Sequence, residues 1–264
     1  MPKHNIFTHR RESYRDSIVF HTHDKFGEIL VTDRFPYRSL SFDSIYEQSC
    51  IHLIKPLELV HEYTHAMMLV LAFVRPQHAT ILGLGGGCLL RSLNSIFPKC
   101  DLHAVELRQR VYEAASEFFG LPQSKHITIT ISDAEQWLQN ADDKSTDIVF
   151  ADMFNAYSMN PFQMQMNFIH QCHRVLSKKG WLVVNYHERP DPFFLKLLSG
   201  FFPDVFIYKT TTTTNNIIFA SKTNIDSLQP FKLTILGLEK KLGNRSINFF
   251  NRLIKLSTNE SDIT

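Results

Sequence analysis

The chain has 264 residues, of which 44% are hydrophobic and 20% are charged, the balance of a globular protein with a substantial core. This composition excludes a chain that is disordered over most of its length. Its 28 basic and 26 acidic side chains leave a net charge of +2, which argues against strong non-specific attraction to nucleic acid or to an anionic membrane.

Two features of the sequence predict a cytoplasmic protein. The longest uninterrupted apolar run, residues 66–74, is too short to cross a bilayer, and the first residues lack the apolar core of a signal peptide. The four cysteines stand far apart and form no C-x-x-C pair: Cys50, Cys88, Cys100 and Cys172. This spacing predicts buried free thiols in a reducing compartment rather than a disulfide framework or a zinc knot.

The first part of the chain indicates short β-strands. Apolar runs at residues 17–22 and 28–33 flank a glycine turn and predict a β-hairpin. A third stretch, bounded by Pro36 and Pro56, is irregular in pattern. We therefore expect residues 1–60 to form a small β-rich N-terminal domain.

A helix is predicted over residues 57–73, where the apolar side chains fall near helical spacing, and the Arg75-Pro76 pair ends it. From residue 79 to residue 221 the pattern alternates between short apolar runs and amphipathic segments. The apolar runs, which predict strands, are residues 80–82, 102–105, 127–131, 147–150 and 181–185. The amphipathic segments, which predict helices, are residues 89–97, 108–119, 134–140, 162–176 and 191–200.

Such alternation is typical of an α/β fold with a mostly parallel sheet and helices on both faces. The last two apolar runs, residues 205–208 and 216–220, are joined by a link too short for a crossover helix, so the last strand should be antiparallel. We assign residues 61–222 to this α/β domain.

The remaining residues, 223–264, predict a helical C-terminal tail. Its two helices are expected at residues 227–242 and 246–256. We expect the tail to pack against the core or against a partner subunit.

The first chemical signal is a glycine-rich turn directly after the first strand of the α/β region. It reads Gly83-Leu84-Gly85-Gly86-Gly87-Cys88 and opens the next helix. Backbone without side chains lets a ligand approach the strand ends at the positive end of a helix, so Gly83, Gly85 and Gly87 are candidate binding residues. The dinucleotide fingerprint G-x-G-x-x-G would need glycine at position 88, where cysteine stands, which argues against a nicotinamide cofactor.

Acidic side chains follow three further strands of the predicted sheet. Glu106 lies 23 residues after Gly83, where a carboxylate can accept both ribose hydroxyls of an adenosine. Asp133 can cap the helix that begins at Ala134, and it can also accept a hydrogen bond from an adenine amino group while the Ala134 amide reads a ring nitrogen. Asp152 comes just past the fourth strand, and acids at the carboxyl ends of parallel strands face the ligand crevice.

In this order and spacing, the glycine turn and the three acids resemble the S-adenosylmethionine-binding Rossmann-like transferases, and within them the spermidine synthase (polyamine aminopropyltransferase) family. The resemblance covers about residues 25–221. It implies a Rossmann-like fold that binds S-adenosylmethionine or its decarboxylated form as donor substrate and transfers an aminopropyl or related group to a small amine or polyamine. It further implies a homodimer. The nearly balanced charge and the short apolar run predict neither nucleic acid nor a membrane as partner.

The resemblance also implies roles for single residues. Gln48 reaches from the N-terminal domain to the nucleotide, Glu106 holds the ribose, and Asp133 reads the adenine. Asp152 matches the first acid of the family's D-x-x-D loop and is the candidate catalytic base. Three residues fall in segments expected to border the cleft and are candidates for binding the acceptor: Tyr63, Asn155 and Tyr157.

Three places depart from the family's pattern. Gly86 stands where the glycine loop usually carries an aspartate, Asn155 stands at the second acid of D-x-x-D, and His65-Ala66-Met67 stands where the family has Tyr-His-Glu. Losing these anionic positions should weaken binding of a polyamine and of an amine-ended donor, and it removes a repulsion against the carboxylate of ordinary S-adenosylmethionine. We therefore expect a retained nucleotide site with a changed acceptor specificity.

Three alternatives stay open. A methyltransferase that uses S-adenosylmethionine has the same nucleotide and fold, and so does a binding protein with vestigial chemistry. The β-rich N-terminal domain and Gln48 favour the polyamine-type transferase over a simple methyltransferase. The third alternative, a zinc metalloprotease, rests on His61-Glu62-Tyr63-Thr64-His65, a literal H-E-x-x-H. No helix with a third ligand follows soon, so this alternative is the weakest and we expect no metal.

Overall fold

The computed structural model describes residues 17–43, 46–242 and 246–256; the predicted N-terminal domain also includes residues 1–16, which lie outside the described residues. The first sheet is an antiparallel meander in which each strand pairs with the next. Its strands are β1 (Ser17–Asp24), β2 (Gly27–Arg34), β3 (Tyr37–Phe42) and β4 (Tyr46–His52).

The predicted hairpin is confirmed as β1 and β2. The stretch between Pro36 and Pro56 is not irregular, because it contains β3 and β4. In β3, Leu40 and Phe42 are buried on one face, while Ser39 and Ser41 alternate with them and point to the other face. This alternation spans only a few residues between turn-forming segments, so it does not stand out in the sequence.

Within the part of the chain that the structure describes, the second sheet has eight strands. In chain order they are β5 (His78–Leu82), β6 (Asp101–Glu106), β7 (Ile127–Ile131), β8 (Thr146–Ala151), β9 (Leu176–Tyr186), β10 (Asp204–Lys209), β11 (Asn216–Ser221) and β12 (Ile254–Lys255). In space they follow the order β12-β10-β11-β9-β8-β5-β6-β7. Strands β5 to β9 pair in parallel, whereas β11 pairs antiparallel with both β9 and β10, and β12 pairs antiparallel with β10, which confirms the predicted α/β sheet.

Helices cover both faces of the second sheet, as predicted. In chain order they are α1 (Glu62–Met67), α2 (Cys88–Ile96), α3 (Gln109–Phe118), α4 (Ala134–Asn140), α5 (Met166–Val175), α6 (Pro192–Phe201), α7 (Lys232–Leu242) and α8 (Ser246–Phe250). One face of the sheet packs on α2, α7 and α8, and the other face packs on α4, α5 and α6. Among the described helices, none has the length and apolar character needed to cross a bilayer.

Four predicted helices are wrong in extent, and those predicted over residues 162–176 and 227–242 begin only with α5 and α7. The helix predicted over residues 57–73 begins only with α1, because a turn precedes it in which the Glu58 amide donates to the Lys55 carbonyl at 2.9 Å. The helix predicted over residues 246–256 is limited to α8, and the chain then pairs with β10 as β12. Without β12, the outer edge of β10 would have unpaired backbone groups, and the tail pairs with them. The sequence of the tail does not indicate this strand.

The tail packs on the core of its own chain, one of the two arrangements that we expected. Ile235 and Leu242 of α7, together with Phe249 and Phe250 of α8, are buried in the same cluster as Tyr208 of β10. This burial removes several large apolar side chains from water and anchors the tail to the antiparallel side of the sheet.

A buried ion pair fixes the first sheet to the second. Arg108, the residue before α3, donates to the two carboxylate oxygens of Asp24 at 2.8 and 3.0 Å and to the Gly27 carbonyl at 2.8 Å. The apolar face of the first sheet packs on Val111 and Ala114 of α3. As a result, β4 lies against the glycine turn that follows β5.

Candidate active site

The ends of the neighbouring strands β5 and β8 lie close together at the glycine turn. Gly83 has a φ of +92°, and a Cβ at this position would lie 2.2 Å from the backbone oxygen of Asp152. Its amide donates to the Val105 carbonyl and the Asp152 amide donates to the Leu82 carbonyl, both at 2.9 Å. Only glycine fits this approach, and it brings Asp152 to the glycine turn.

Glu106 faces the glycine turn and not solvent. One carboxylate oxygen accepts from the Leu84 amide at 3.0 Å and from the Gly85 amide at 3.4 Å, and the other accepts from the Arg108 amide at 2.9 Å. The residue is 7% exposed, and burial raises the pKa of its carboxyl group against the lowering effect of these bonds. The turn and Glu106 are thus built as one unit, while the ribose-binding role of Glu106 and the donor-binding role of Gly83, Gly85 and Gly87 stay predictions.

The first sheet contributes β4 to the same place. The Gly86 amide donates to Ser49 Oγ at 2.8 Å, and a Cβ on Gly86 would lie 2.9 Å from Ser49 Cβ and 2.9 Å from the Phe119 ring. The space of a side chain at position 86 is therefore filled by Ser49 and Phe119. Gln48, the predicted contact to the nucleotide, is next to Ser49, and its backbone carbonyl accepts from the Tyr63 hydroxyl at 3.3 Å.

Asp133 caps α4, which is one of the two compatible roles that the sequence suggests. Its Oδ1 accepts from the Glu135 amide at 2.8 Å and from the Gln136 amide at 3.4 Å. The residue is exposed at the carboxyl end of the sheet, and Ala134 begins the helix beside it. Recognition of an adenine by Asp133 and Ala134 stays a prediction.

Asp152 is held by an amide that the sequence analysis did not single out. The side-chain amide of Asn185, in β9, donates to Asp152 Oδ1 at 2.8 Å. Asn185 Oδ1 in turn accepts from the side-chain amide of Asn215 at 2.8 Å. Asn185 is 2% exposed. Burial raises the pKa of Asp152 to about 6, although the Asn185 hydrogen bond and the nearby His61 oppose the rise. A polar side chain at the end of the apolar strand Val183-Val184-Asn185 is the signal that could have found it.

The three predicted acceptor-binding residues differ in their surroundings. Burial is the main cause of the raised pKa of the Tyr63 hydroxyl, and the charge of the Asp152 carboxylate raises it further. Asn155 Oδ1 instead accepts from the amides of Tyr157 and Ser158 at 2.8 and 2.7 Å, so it stabilises its own loop. Tyr157 is 67% exposed. Contact of Asn155 and Tyr157 with an acceptor stays a prediction.

The three chemical groups of the H-E-x-x-H pattern do not meet at one point. His61 Nε2 lies 2.6 Å from Glu47 Oε1, whereas His65 Nε2 lies 2.9 Å from Ser246 Oγ. Glu62 accepts hydrogen bonds from the chain segment that joins β10 to β11. This geometry does not support the metalloprotease alternative, since its zinc site needs both imidazoles on one ion.

We predict that Glu62→Gln lowers the free energy of unfolding by about 1.5–3 kcal/mol at neutral pH, measured by urea denaturation. Although burial raises the pKa of Glu62, hydrogen bonds from Tyr208, Thr211 and Thr212 outweigh it and lower the pKa to about 2. A lowered carboxyl pKa adds stability above the unfolded value, and this stability disappears as the pH falls from about 4.5 to about 2. The variant and wild type should therefore converge in acid. The same substitution at the exposed Glu58 should change stability by less than about 0.5 kcal/mol, and an equal loss there would contradict the assignment.

The architecture is that of a Rossmann-like transferase with an added N-terminal sheet, and residues 81–184 match the family described as methyltransferase domain. A polyamine aminopropyltransferase of Neisseria meningitidis is 31% identical over 182 residues, covering 67% of this chain and 69% of that protein. The polyamine aminopropyltransferase of Chromobacterium violaceum is 28% identical over 233 residues, covering 86% of this chain and 89% of that protein. A crystal structure of a probable spermidine synthase from Corynebacterium glutamicum matches with a TM-score of 0.72 at 21% identity, covering 84% of this chain and 88% of that one.

The chain therefore belongs to the polyamine aminopropyltransferase family, a family of transferase enzymes. The methyltransferase match covers the sheet that both classes share, so the methyltransferase alternative is not favoured. The resemblance drawn from the glycine turn and the ordered acids is confirmed.

Proposed function

We propose that this protein binds S-adenosylmethionine or its decarboxylated form and transfers an aminopropyl or related group to a small amine, with Asp152 as the catalytic base. The observation that carries the proposal is the half-buried Asp152 carboxylate, which Asn185 holds at the glycine turn in a chain of this family. A carboxylate with a pKa of about 6 is a better base than an exposed aspartate and is still ionised at neutral pH.

The donor is proposed to lie along the carboxyl ends of β5, β6 and β7. Glycines at positions 83, 85 and 87 leave backbone open to it, and Glu106 is placed by three amides to accept from ribose hydroxyls. Asp133 and Ala134 would contact the adenine, and Gln48 would close the site from the first sheet. The positive end of α2 faces the same crevice.

The reaction requires a neutral amine, a group that accepts its proton, and reacting atoms that lie in line. A neutral amine nitrogen attacks the carbon bound to the sulfonium, so that an N–C bond forms while the C–S bond breaks and its electron pair stays on sulfur. The nitrogen gives up one proton, and Asp152 is the group that accepts it. Because the reacting atoms must lie in line, holding both substrates beside Asp152 supplies much of the rate.

Two features support a changed specificity. Position 86, where the family pattern has an acid, is filled by Ser49 and Phe119, so no anion can be restored there without moving the first sheet. Asn155, at the second acid position, is neutral and its oxygen is engaged within its loop. A site with fewer anionic groups binds a cationic amine more weakly. It also repels a donor that retains its carboxylate less strongly.

The proposal is tested by calorimetric titration with S-adenosylmethionine, its decarboxylated form and methylthioadenosine, followed by mass spectrometry of products from a panel of amines. We expect at least one donor to bind, and Glu106→Gln to weaken its binding about 10- to 100-fold while Glu117→Gln on the exposed side of α3 does not. No response to any of the three compounds would refute the nucleotide site. Binding of the decarboxylated donor alone would refute the changed donor preference and leave the transferase assignment intact.

We also propose that the protein is a homodimer, as the family resemblance implies. Light scattering coupled to size-exclusion chromatography measures the mass directly. A single species at the mass of one chain would refute this part of the proposal.

A further inference from the structure

We propose that Glu47, Cys50 and His61 bind a divalent metal ion of the zinc type. A carboxylate oxygen, the thiol sulfur and an imidazole nitrogen from these side chains all lie within 4.8 Å of one another. Carboxylate, thiolate and imidazole are ligands that zinc prefers in proteins. Three protein ligands leave the fourth position of a tetrahedral ion open, as in zinc sites that water or a substrate can reach.

A β-bulge creates this cluster. In a regular strand Glu47 and Cys50 would point to opposite faces, because they are three residues apart. The pairing of β3 with β4 shifts register, however: Ser39 pairs with Cys50 and Ser41 pairs with Glu47. Since Ser39 and Ser41 share a face, Glu47 and Cys50 share it too. Bulges of this kind are common beside functional sites, where they redirect a side chain.

The neighbours of the three ligands are arranged to support an ion. Ser39 Oγ donates to a Glu47 carboxylate oxygen and so orients this ligand, and the same oxygen lies 3.7 Å from Cys50 Sγ. His61 Nε2 already lies 2.6 Å from Glu47 Oε1. In a tetrahedral zinc site the ligand atoms are about 3.4 Å apart, so shifts of about one ångström would complete the site.

Access and position also fit. Cys50 is 5% exposed and is the buried member of the cluster. The Glu47 side chain is 41% exposed, so solvent reaches the cluster on its side. The His61 ring stacks on Tyr63 with centroids 5.3 Å apart, and Tyr63 is near Asp152. The ion would therefore bind beside the candidate active site but does not depend on the donor or the acceptor.

From the sequence we expected no metal, because the cysteines lack paired spacing and the H-E-x-x-H pattern lacks a third ligand. The proposed site uses only the first histidine of that pattern. Its other two ligands come from β4, in a stretch whose sequence pattern is irregular.

The test is titration of the purified metal-free protein with cobalt(II), which reports a thiolate ligand by a sulfur-to-cobalt charge-transfer band, followed by displacement with zinc. We expect one ion per chain, a charge-transfer band that zinc removes, and loss of the band with at least about tenfold weaker binding in Cys50→Ser and His61→Asn. Two matched controls, Cys100→Ser and His65→Gln, should keep the band. Circular dichroism verifies that each variant is folded.

Two results would overturn the site. One is the absence of a charge-transfer band in the wild-type protein at saturating cobalt, which needs no variant. The other is a band that survives Cys50→Ser or that His65→Gln removes, because it would place the ion elsewhere. Neither result bears on donor binding, so the outcome is separate from that of the proposed transferase function.

Discussion

Replacing Asp152 by asparagine is expected to lower kcat about 100- to 10,000-fold while leaving donor affinity within a few-fold of wild type. The amide keeps the size of the carboxylate and can still contact Asn185, but it cannot accept the proton that the amine gives up. Steady-state kinetics with the best donor and amine, with calorimetric donor binding alongside, measures both quantities. The matched control is Asp226→Asn, which is exposed in the C-terminal tail.

The pH dependence of the rate is a second test of Asp152 as the catalytic base. Because burial raises the pKa of Asp152 to about 6, the wild-type rate should fall as the pH drops through about 6 and Asp152 becomes protonated. The Asn185 hydrogen bond lowers this pKa, so Asn185→Ala should move the acid limb to higher pH. Asp152 would not be the base if Asp152→Asn retained more than a tenth of wild-type kcat. The same would follow if Asn185→Ala left the acid limb of the pH profile unchanged.

Replacing Gly83 by alanine is expected to cost about 2–5 kcal/mol of unfolding free energy and to abolish donor binding. At a φ of +92° any side chain is strained, and the new Cβ would lie 2.2 Å from the Asp152 backbone oxygen. Relief of that contact must separate the ends of β5 and β8, which carry the glycine turn and Asp152. Urea denaturation and calorimetric titration measure the two effects.

Gly200→Ala is the matched control for this substitution. Gly200 lies in α6, and a Cβ there would have no atom within 4 Å. Alanine is the better helix former, so this variant should be as stable as wild type or more stable by up to about 1 kcal/mol. A Gly83→Ala protein that is as stable as Gly200→Ala would show that the two strand ends are not packed as closely as described.

Much of the fold was predictable because its signals are local. Each buried strand of the parallel sheet is a short apolar run between amphipathic segments, so the order of strands and helices follows from periodicity alone. The same holds for the acids: Glu106, Asp133 and Asp152 each follow an apolar run, and the ends of parallel strands meet at one edge of the sheet. The antiparallel pairing of β10 and β11 followed from the short link between them.

Other parts of the site were decided only by tertiary structure, because they depend on register and on contacts between distant segments. Ser49 fills the space at Gly86 only after the first sheet docks on α3, and Asn185 reaches Asp152 only when β9 lies beside β8. The bulge in β4 changes which side chains share a face, and no local pattern records a shift of one residue. Local sequence patterns are therefore enough to predict the sheet and the ordered acids. The packing of the two sheets fixes how those acids are held and which further groups lie beside them.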